Sequence, residues 1–193
     1  MITHIRGKLV EKNPTYVVVE AGGLGYFLNI SLNTFSQLPD DESIFIYTYL
    51  SVKEDSQTLF GFTTKIEREL FKLLISVSGV GPSIARTMLS SMSTDEIKHA
   101  IASGNADIIQ SVKGIGVKTA QRVIIDLKDK ILKSYTIDEV SLPLSNTTKE
   151  EALSALEVLG FVHKQAERVI DKILVSDANL KVEQLIKMAL KKL

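Results

Sequence analysis

Cysteine and tryptophan are absent from the sequence, and its three histidines, His4, His99 and His163, stand far apart. Without thiols there is no disulfide framework, thiolate catalysis, cysteine-ligated zinc site or iron–sulfur cluster. Single scattered histidines read as surface or packing residues, so no metal site is expected. No stretch approaches 18 consecutive apolar residues, which argues against a membrane span. The first six residues, MITHIR, lack the charged and apolar regions of a secretory signal. These absences fit a cytoplasmic protein. A phosphate-cradling G-x-x-x-x-G-K-[ST] loop is also missing, and Gly114-Ile-Gly-Val-Lys-Thr does not have its spacing. No catalytic residue and no cofactor are therefore expected, and any ATP hydrolysis must come from a partner.

What is present is an ordinary globular composition, 45% hydrophobic and 24% charged, with a net charge of zero that conceals an asymmetry. Residues 1–62 carry 4 Lys and Arg against 7 Asp and Glu; residues 63–133 carry 11 against 7; residues 134–193 carry 8 against 9. The positive excess is confined to the middle third, where it hints at a polyanionic partner.

Hydrophobic periodicity divides the chain. In residues 1–62 the alternation of ITHIRGKLV, the β-branched TYVVVE, then GYFLNI, SIFIYTYL and QTLFGF predict five short strands. A small closed barrel of the OB type accounts for them, because closure removes exposed sheet edges. From Lys65 the period becomes helical, with Ile66, Leu70, Leu73, Leu74 and Val77 on one stripe. Ser93-Thr-Asp-Glu96 is a capping box, and another helix is expected from about Val117 to Leu132. Residues 134–147 break both periods and are read as a flexible linker. Beyond them, residues 148–193 form three amphipathic helices, the first capped at Thr147 or Thr148 and ended by Gly160. The expected class is α+β multidomain: an OB-type barrel at 1–63, a central all-α region at 64–133 and a small three-helix, UBA-like bundle at 148–193.

The most informative residues lie in the basic third. Ser78-Gly79-Val80-Gly81-Pro82-Ser83-Ile84-Ala85 recurs 35 residues later as Lys113-Gly114-Ile115-Gly116-Val117-Lys118-Thr119-Ala120. Each stretch is a Gly-apolar-Gly turn between two helices. Glycine allows positive φ and close backbone approach to a ligand. The amides that open the following helix are unpaired, and the helix dipole favours an anion there. Lys118 and Arg122 add positive charge at the second turn. Two such turns in register look like tandem helix-hairpin-helix motifs, which hold nucleic-acid backbone through phosphate contacts that position without reading sequence.

The order barrel, paired hairpins, linker and helical tail resembles, over nearly the whole chain, the bacterial RuvA family of Holliday-junction-binding subunits. The resemblance is carried by Arg6-Gly7, Gly22-Gly23-Leu24-Gly25-Tyr26, Glu54-Asp55 with Leu59-Phe60-Gly61-Phe62, both hairpins, and Ala155-Leu-Glu-Val-Leu-Gly-Phe161. It implies a homotetramer, or two tetramers as an octamer, gripping duplex DNA at a four-way junction. A RuvB ATPase motor would dock on the tail for branch migration, and a RuvC-type resolvase is implied as a further partner. The chain departs from the family pattern at Ser83, Lys113 and Val117, where Lys, Pro and a second basic residue are common.

The acidic pair Glu54-Asp55 sits at the tip of an expected hairpin. In the tetramer implied by the resemblance, one such pair per subunit converges on the strand crossover and repels phosphates there, while Lys53 and the two hairpins hold the arms further out. In the tail, Leu156, Leu159, Phe161, Ile170 and Leu185 are expected to contribute to the partner-ATPase surface. Two other readings share the hairpins. One is a general duplex-binding adaptor with no preference for junctions. The other is a helix-hairpin-helix DNA glycosylase, suggested by Lys118-Thr119-Ala120 with Asp138 about 20 residues on.

Overall fold

Strong alternation makes the first strands: in β2 (Tyr16–Ala21) Val17 and Val19 are buried between more exposed neighbours. β1 (His4–Asn13) pairs antiparallel with β2 and also with β4 (Ser43–Val52). A register shift between Leu9 and Glu11 falls within the β1–β2 ladder; bulges of this kind bend a strand and increase its twist. β3 (Leu24–Asn29) runs beside β2 and meets β5 (Gln57–Phe62) in parallel, closing the barrel in the order β1-β2-β3-β5-β4. The five expected strands are all there. A short helix that the sequence reading lacked, α1 (Leu32–Gln37), lies between β3 and β4. Its only local signature is Ser31, whose hydroxyl accepts the Thr34 N–H, and six residues are too few for a visible period.

The computed structural model describes residues 1–39, 42–139, 144–176 and 180–193. They divide into two compact units, Met1–Thr136 and Ile137–Leu193. Barrel and hairpins, expected as separate domains with a boundary at 63/64, thus belong to one unit. The reason is α2 (Lys65–Ile75), whose Phe71 is fully buried with its ring 5.0 Å from Phe62, 5.1 Å from Phe60 and 5.4 Å from Tyr49. Aromatic pairs at such distances add to area burial. Of the expected α2 stripe, Leu70, Leu74 and Val77 are buried, whereas Ile66 is 55% exposed. The buried arc is rotated towards Phe71 because strands flank the helix on one side and further helices on the other.

Those further helices are α3 (Pro82–Ser91), α4 (Thr94–Ser103), α5 (Ala106–Gln110) and α6 (Val117–Glu139). The Ser93–Glu96 capping box opens α4 as expected. α6 extends past Leu132 into the segment read as linker, since no Gly or Pro occurs between Val117 and Pro143 to stop it. The rest of that expected linker includes residues 140–143, which lie outside the described residues.

The second unit holds α7 (Leu144–Val158), α8 (His163–Ser176) and α9 (Val182–Leu190) around Ala152, Leu156, Ala166, Ile170, Ile173, Leu185 and Ala189. α7 starts at Leu144, ahead of the cap expected at Thr147 or Thr148. Gly160 ends it as expected: at φ +96° it follows the helix, and Phe161 N–H returns to Leu156 O at 3.0 Å. Among the described residues no helix is long and apolar enough to cross a membrane.

Candidate nucleic-acid interface

The two Gly-apolar-Gly turns have the same backbone. Gly79 and Gly114 each adopt φ +95°, a region that residues with a Cβ rarely enter. Val80 N–H donates to Val77 O at 3.0 Å, and Ile115 N–H to Val112 O at 3.1 Å. The first helical bonds correspond too, Ala85 N–H to Gly81 O at 3.0 Å and Ala120 N–H to Gly116 O at 2.9 Å. Val80 and Ile115 turn inward, 4% and 6% exposed, and pin the turns to a shared core. The turns also touch reciprocally. A Cβ on Gly79 would lie 3.5 Å from Thr119 Oγ1, and one on Gly114 3.9 Å from Ile84 Cγ1. Ile84 and Thr119 are the third residues of α3 and α6, so each turn covers the equivalent position of the other motif, as a local two-fold relation requires.

That arrangement leaves the outer rims open. Ser78, Gly79, Gly81, Ser83, Lys113, Gly114, Gly116, Val117, Lys118 and Arg122 are exposed, and Pro82 is half-buried. A Cβ at Gly81 or Gly116 would meet nothing within 4 Å. Backbone N–H groups of Ser83 and Ile84 in α3, and of Val117, Lys118 and Thr119 in α6, precede the first i→i−4 bond of their helix. Gly81 supplies no side-chain cap to compete for them. Chemically, the free amides at each rim can accept an anion. Cations distinguish the two: residues 113–122 carry Lys113, Lys118 and Arg122, with Lys118 and Arg122 one helical turn apart, while the matching residues 78–87 carry only Arg86, which bonds to the barrel residue Asn29.

Near the first turn stands the acidic tip. β4 and β5 end their pairing at Val52 and Gln57, and Lys53 N–H closes the turn onto Ser56 O at 2.8 Å. Lys53, Glu54 and Asp55 are all exposed, with Ser56 Oγ donating to Asp55 Oδ1 at 3.2 Å. A pocket of about 130 Å³ separates the tip's base, at Lys53 and Ser56, from Pro82, Ser83 and Arg86 of α3. Arg86 was not visible as special in the sequence. Its Nη1 donates to Asn29 Oδ1 at 2.9 Å and to Thr15 O at 3.3 Å, joining the first hairpin's second helix to the barrel.

The same seam contains a buried carboxyl, Glu67 of α2, 2% exposed. Ser31 Oγ donates to its Oε1 at 2.5 Å and Thr34 Oγ1 to its Oε2 at 2.7 Å. Burial pushes the Glu67 carboxyl above its usual range, with the two hydroxyls pulling the other way. Asn33 Nδ2 donates to Leu89 O at 2.7 Å and to Met92 O at 2.8 Å, tying α1 to the end of α3.

In the tail, Leu156, Ile170 and Leu185 are fully buried, so these three form the core and not a partner surface. They were expected at that surface because helical periodicity marks apolar positions without saying which face is inward in so small a bundle. Phe161 is half-buried, and Leu159 is exposed. The sequence reading missed Val158, 85% exposed, and Val162, 66% exposed. Val158 and Leu159 line a shallow groove of about 720 Å³ with Ala155 and Ile186. Asp138, needed for the glycosylase reading, belongs to the second unit, whereas Lys118 belongs to the first. Among the described residues no group of three or more His, Asp or Glu is placed to hold a metal ion.

Comparison with known proteins covers every segment. The family model for the RuvA N terminal domain matches residues 1–61, that for a SAM-like helix-hairpin-helix tandem matches residues 71–129, and that for the RuvA C-terminal domain matches residues 148–193. The chain is 63% identical to the Holliday junction branch migration complex subunit RuvA of Christiangramia forsetii, over 193 residues and the full length of both. It is 58% identical to the protein of that name from Flavobacterium psychrophilum, also over both full lengths. The identity is 44% to the Bacteroides fragilis protein, again covering all of each chain.

Proposed function

The chain belongs to the RuvA family, and from that membership we propose that it binds four-way Holliday junction DNA without reading sequence, as the DNA-holding subunit of a branch-migration complex in recombination and repair. The observation that supports this best is the pair of matched hairpins with open rims, set in the same compact unit as an exposed acidic tip. Phosphates of a duplex arm seat on the helix-opening amides behind Gly81 and Gly116, with Lys113, Lys118 and Arg122 adding charge. Four copies form a tetramer whose Glu54-Asp55 tips meet at the crossover. There they repel strands that approach too closely and keep the arms unstacked. Lys53 stands beside each tip as a phosphate contact.

The subunit performs no chemistry of its own. The apolar groove around Val158 and Leu159 receives a RuvB-type ATPase, which drives migration, and a RuvC-type resolvase acts on the junction so held. The cell's cytoplasm is the compartment. Fluorescence anisotropy on a four-way junction and a linear duplex at matched salt tests the reading. A clear preference for the junction is expected, with steep salt dependence. Equal affinity for both substrates, or only monomer in sedimentation with junction DNA, would overturn it in favour of a general duplex adaptor.

A further inference from the structure

We propose that Arg86 is a positioning residue for junction selectivity: it locks the first hairpin to the barrel strands that carry the acidic tip. This rests on the junction-binding reading above. Selectivity of that kind needs two things at a fixed separation, a seat for the arm's phosphates and a cluster of negative charge that the crossover must avoid. The seat lies at the start of α3 and the charge at the end of β4, more than 25 residues apart in sequence. Something must hold them in register.

Arg86 lies one helical turn beyond Pro82. Its half-buried guanidinium reaches Asn29 Oδ1 at 2.9 Å and Thr15 O at 3.3 Å. Asn29 is the last residue of β3 and pairs with Phe60 of β5, the strand returning from the tip. The β3–β5 ladder is short, Leu28 with Leu59 and Asn29 with Phe60, so the contact falls where the barrel closes. Thr15 O also accepts the Ile30 N–H at 3.1 Å, which fixes that oxygen for Arg86. Both bonds leave one nitrogen, Nη1, so the guanidinium is held at that corner between two acceptors of the barrel. The equivalent position in α6 is Gln121, which is exposed, so this link belongs to the first hairpin alone.

The test uses the full-length chain and compares affinity for a four-way junction and for a linear duplex in Arg86→Met, Arg86→Lys and Asn29→Ala, each checked for native thermal unfolding. Arg86→Met is expected to keep duplex affinity within about twofold. Its junction-over-duplex preference should fall about five- to tenfold, the size of coupling seen between contacting residues. Asn29→Ala, which leaves Arg86 in place, should lose as much, and Arg86→Lys should recover part. In a Glu54→Gln, Asp55→Asn background, Arg86→Met should cost no further selectivity, because there is then no acidic tip to place. Equal loss of duplex and junction affinity in Arg86→Met, with Asn29→Ala unaffected, would make Arg86 a phosphate contact and overturn the proposal. Unchanged preference in both variants would overturn it as well. A wild-type protein with no preference at all would instead bring down the junction reading itself.

Discussion

The first and second hairpins share φ +95° at Gly79 and Gly114, the same turn hydrogen bonds and the same inward apolar residue, yet their surroundings differ in two respects. The first has no cation within Ser78–Ser83 but is tied to the barrel through Arg86, α1 and Glu67. The second has Lys113, Lys118 and Arg122 on its rim. An identical backbone thus serves two ends. On the junction-binding reading proposed above, one copy sets where the arm lies relative to the acidic tip, and the other supplies electrostatic hold. The local two-fold contact of Gly79 with Thr119 and Gly114 with Ile84 makes the copies a single platform on which these roles can be separated.

The largest test removes what the copies have in common. Gly81 and Gly116 do not have positive φ, and a Cβ there meets nothing within 4 Å, so leucine should cost no more than the loss of a glycine cap, about 1 kcal/mol of stability at each. Each leucine would stand where a phosphate approaches the helix-opening amides. About tenfold loss of junction affinity is expected per hairpin, since a helix-terminus anion contact is worth up to about 2 kcal/mol. Anisotropy on single and double variants checks this, and a double variant that binds normally would move the phosphates elsewhere. Gly79→Ala and Gly114→Ala give a smaller and opposite pattern. Both should cost about 1–2 kcal/mol of stability through left-handed strain. Urea midpoints for the two should agree if the backbones are as alike as their hydrogen bonds.

Much of this was legible in the sequence, because the features responsible are local. The five strands follow from period-two alternation, the hairpins from a repeated Gly-apolar-Gly, and the α4 start from Ser93 and Glu96. What escaped depends on contacts distant in sequence. Phe71 replaces Ile66 in the α2 core because β4 and β5 bring Tyr49, Phe60 and Phe62 against it. Leu156, Ile170 and Leu185 proved to be interior, and exposed Val158 went unnoticed, since a 3.6-residue period finds a stripe but not its direction. Arg86 and Asn29 are 57 residues apart, and neither carries a motif.

Charge can be exchanged between the hairpins next. Lys118→Gln would remove the phosphate contact proposed for Lys118 and should lower the slope of log affinity against log salt by about 0.9 per subunit engaged. Ser83→Lys places a cation at the matching position of the first hairpin and should raise it by about the same amount. The double variant should restore the wild-type slope. If Ser83→Lys leaves the slope unchanged, the first rim does not face a phosphate, and the equivalence of the two seats fails.

The smallest effect concerns the anchorage peculiar to the first hairpin. Glu67 holds Ser31 and Thr34 of the barrel, and its carboxyl titrates above the ordinary 4.5 because it is buried. Between the unfolded and folded values the folded protein binds more protons than the unfolded chain, so stability falls as pH rises through that window. The site's contribution is therefore fully present below about pH 4.5 and lost as pH passes the raised folded value. Glu67→Gln removes the titration while keeping a carbonyl to accept one hydroxyl. Relative to wild type, its urea midpoint should be lower at pH 4.5 and should recover towards the wild-type value by pH 7. Other carboxylates cancel in that difference, including Glu96, whose pKa the Ser93 N–H lowers. A constant gap between the two proteins across this range would mean that Glu67 is already ionised throughout, held by its two hydroxyl donors against the cost of burial.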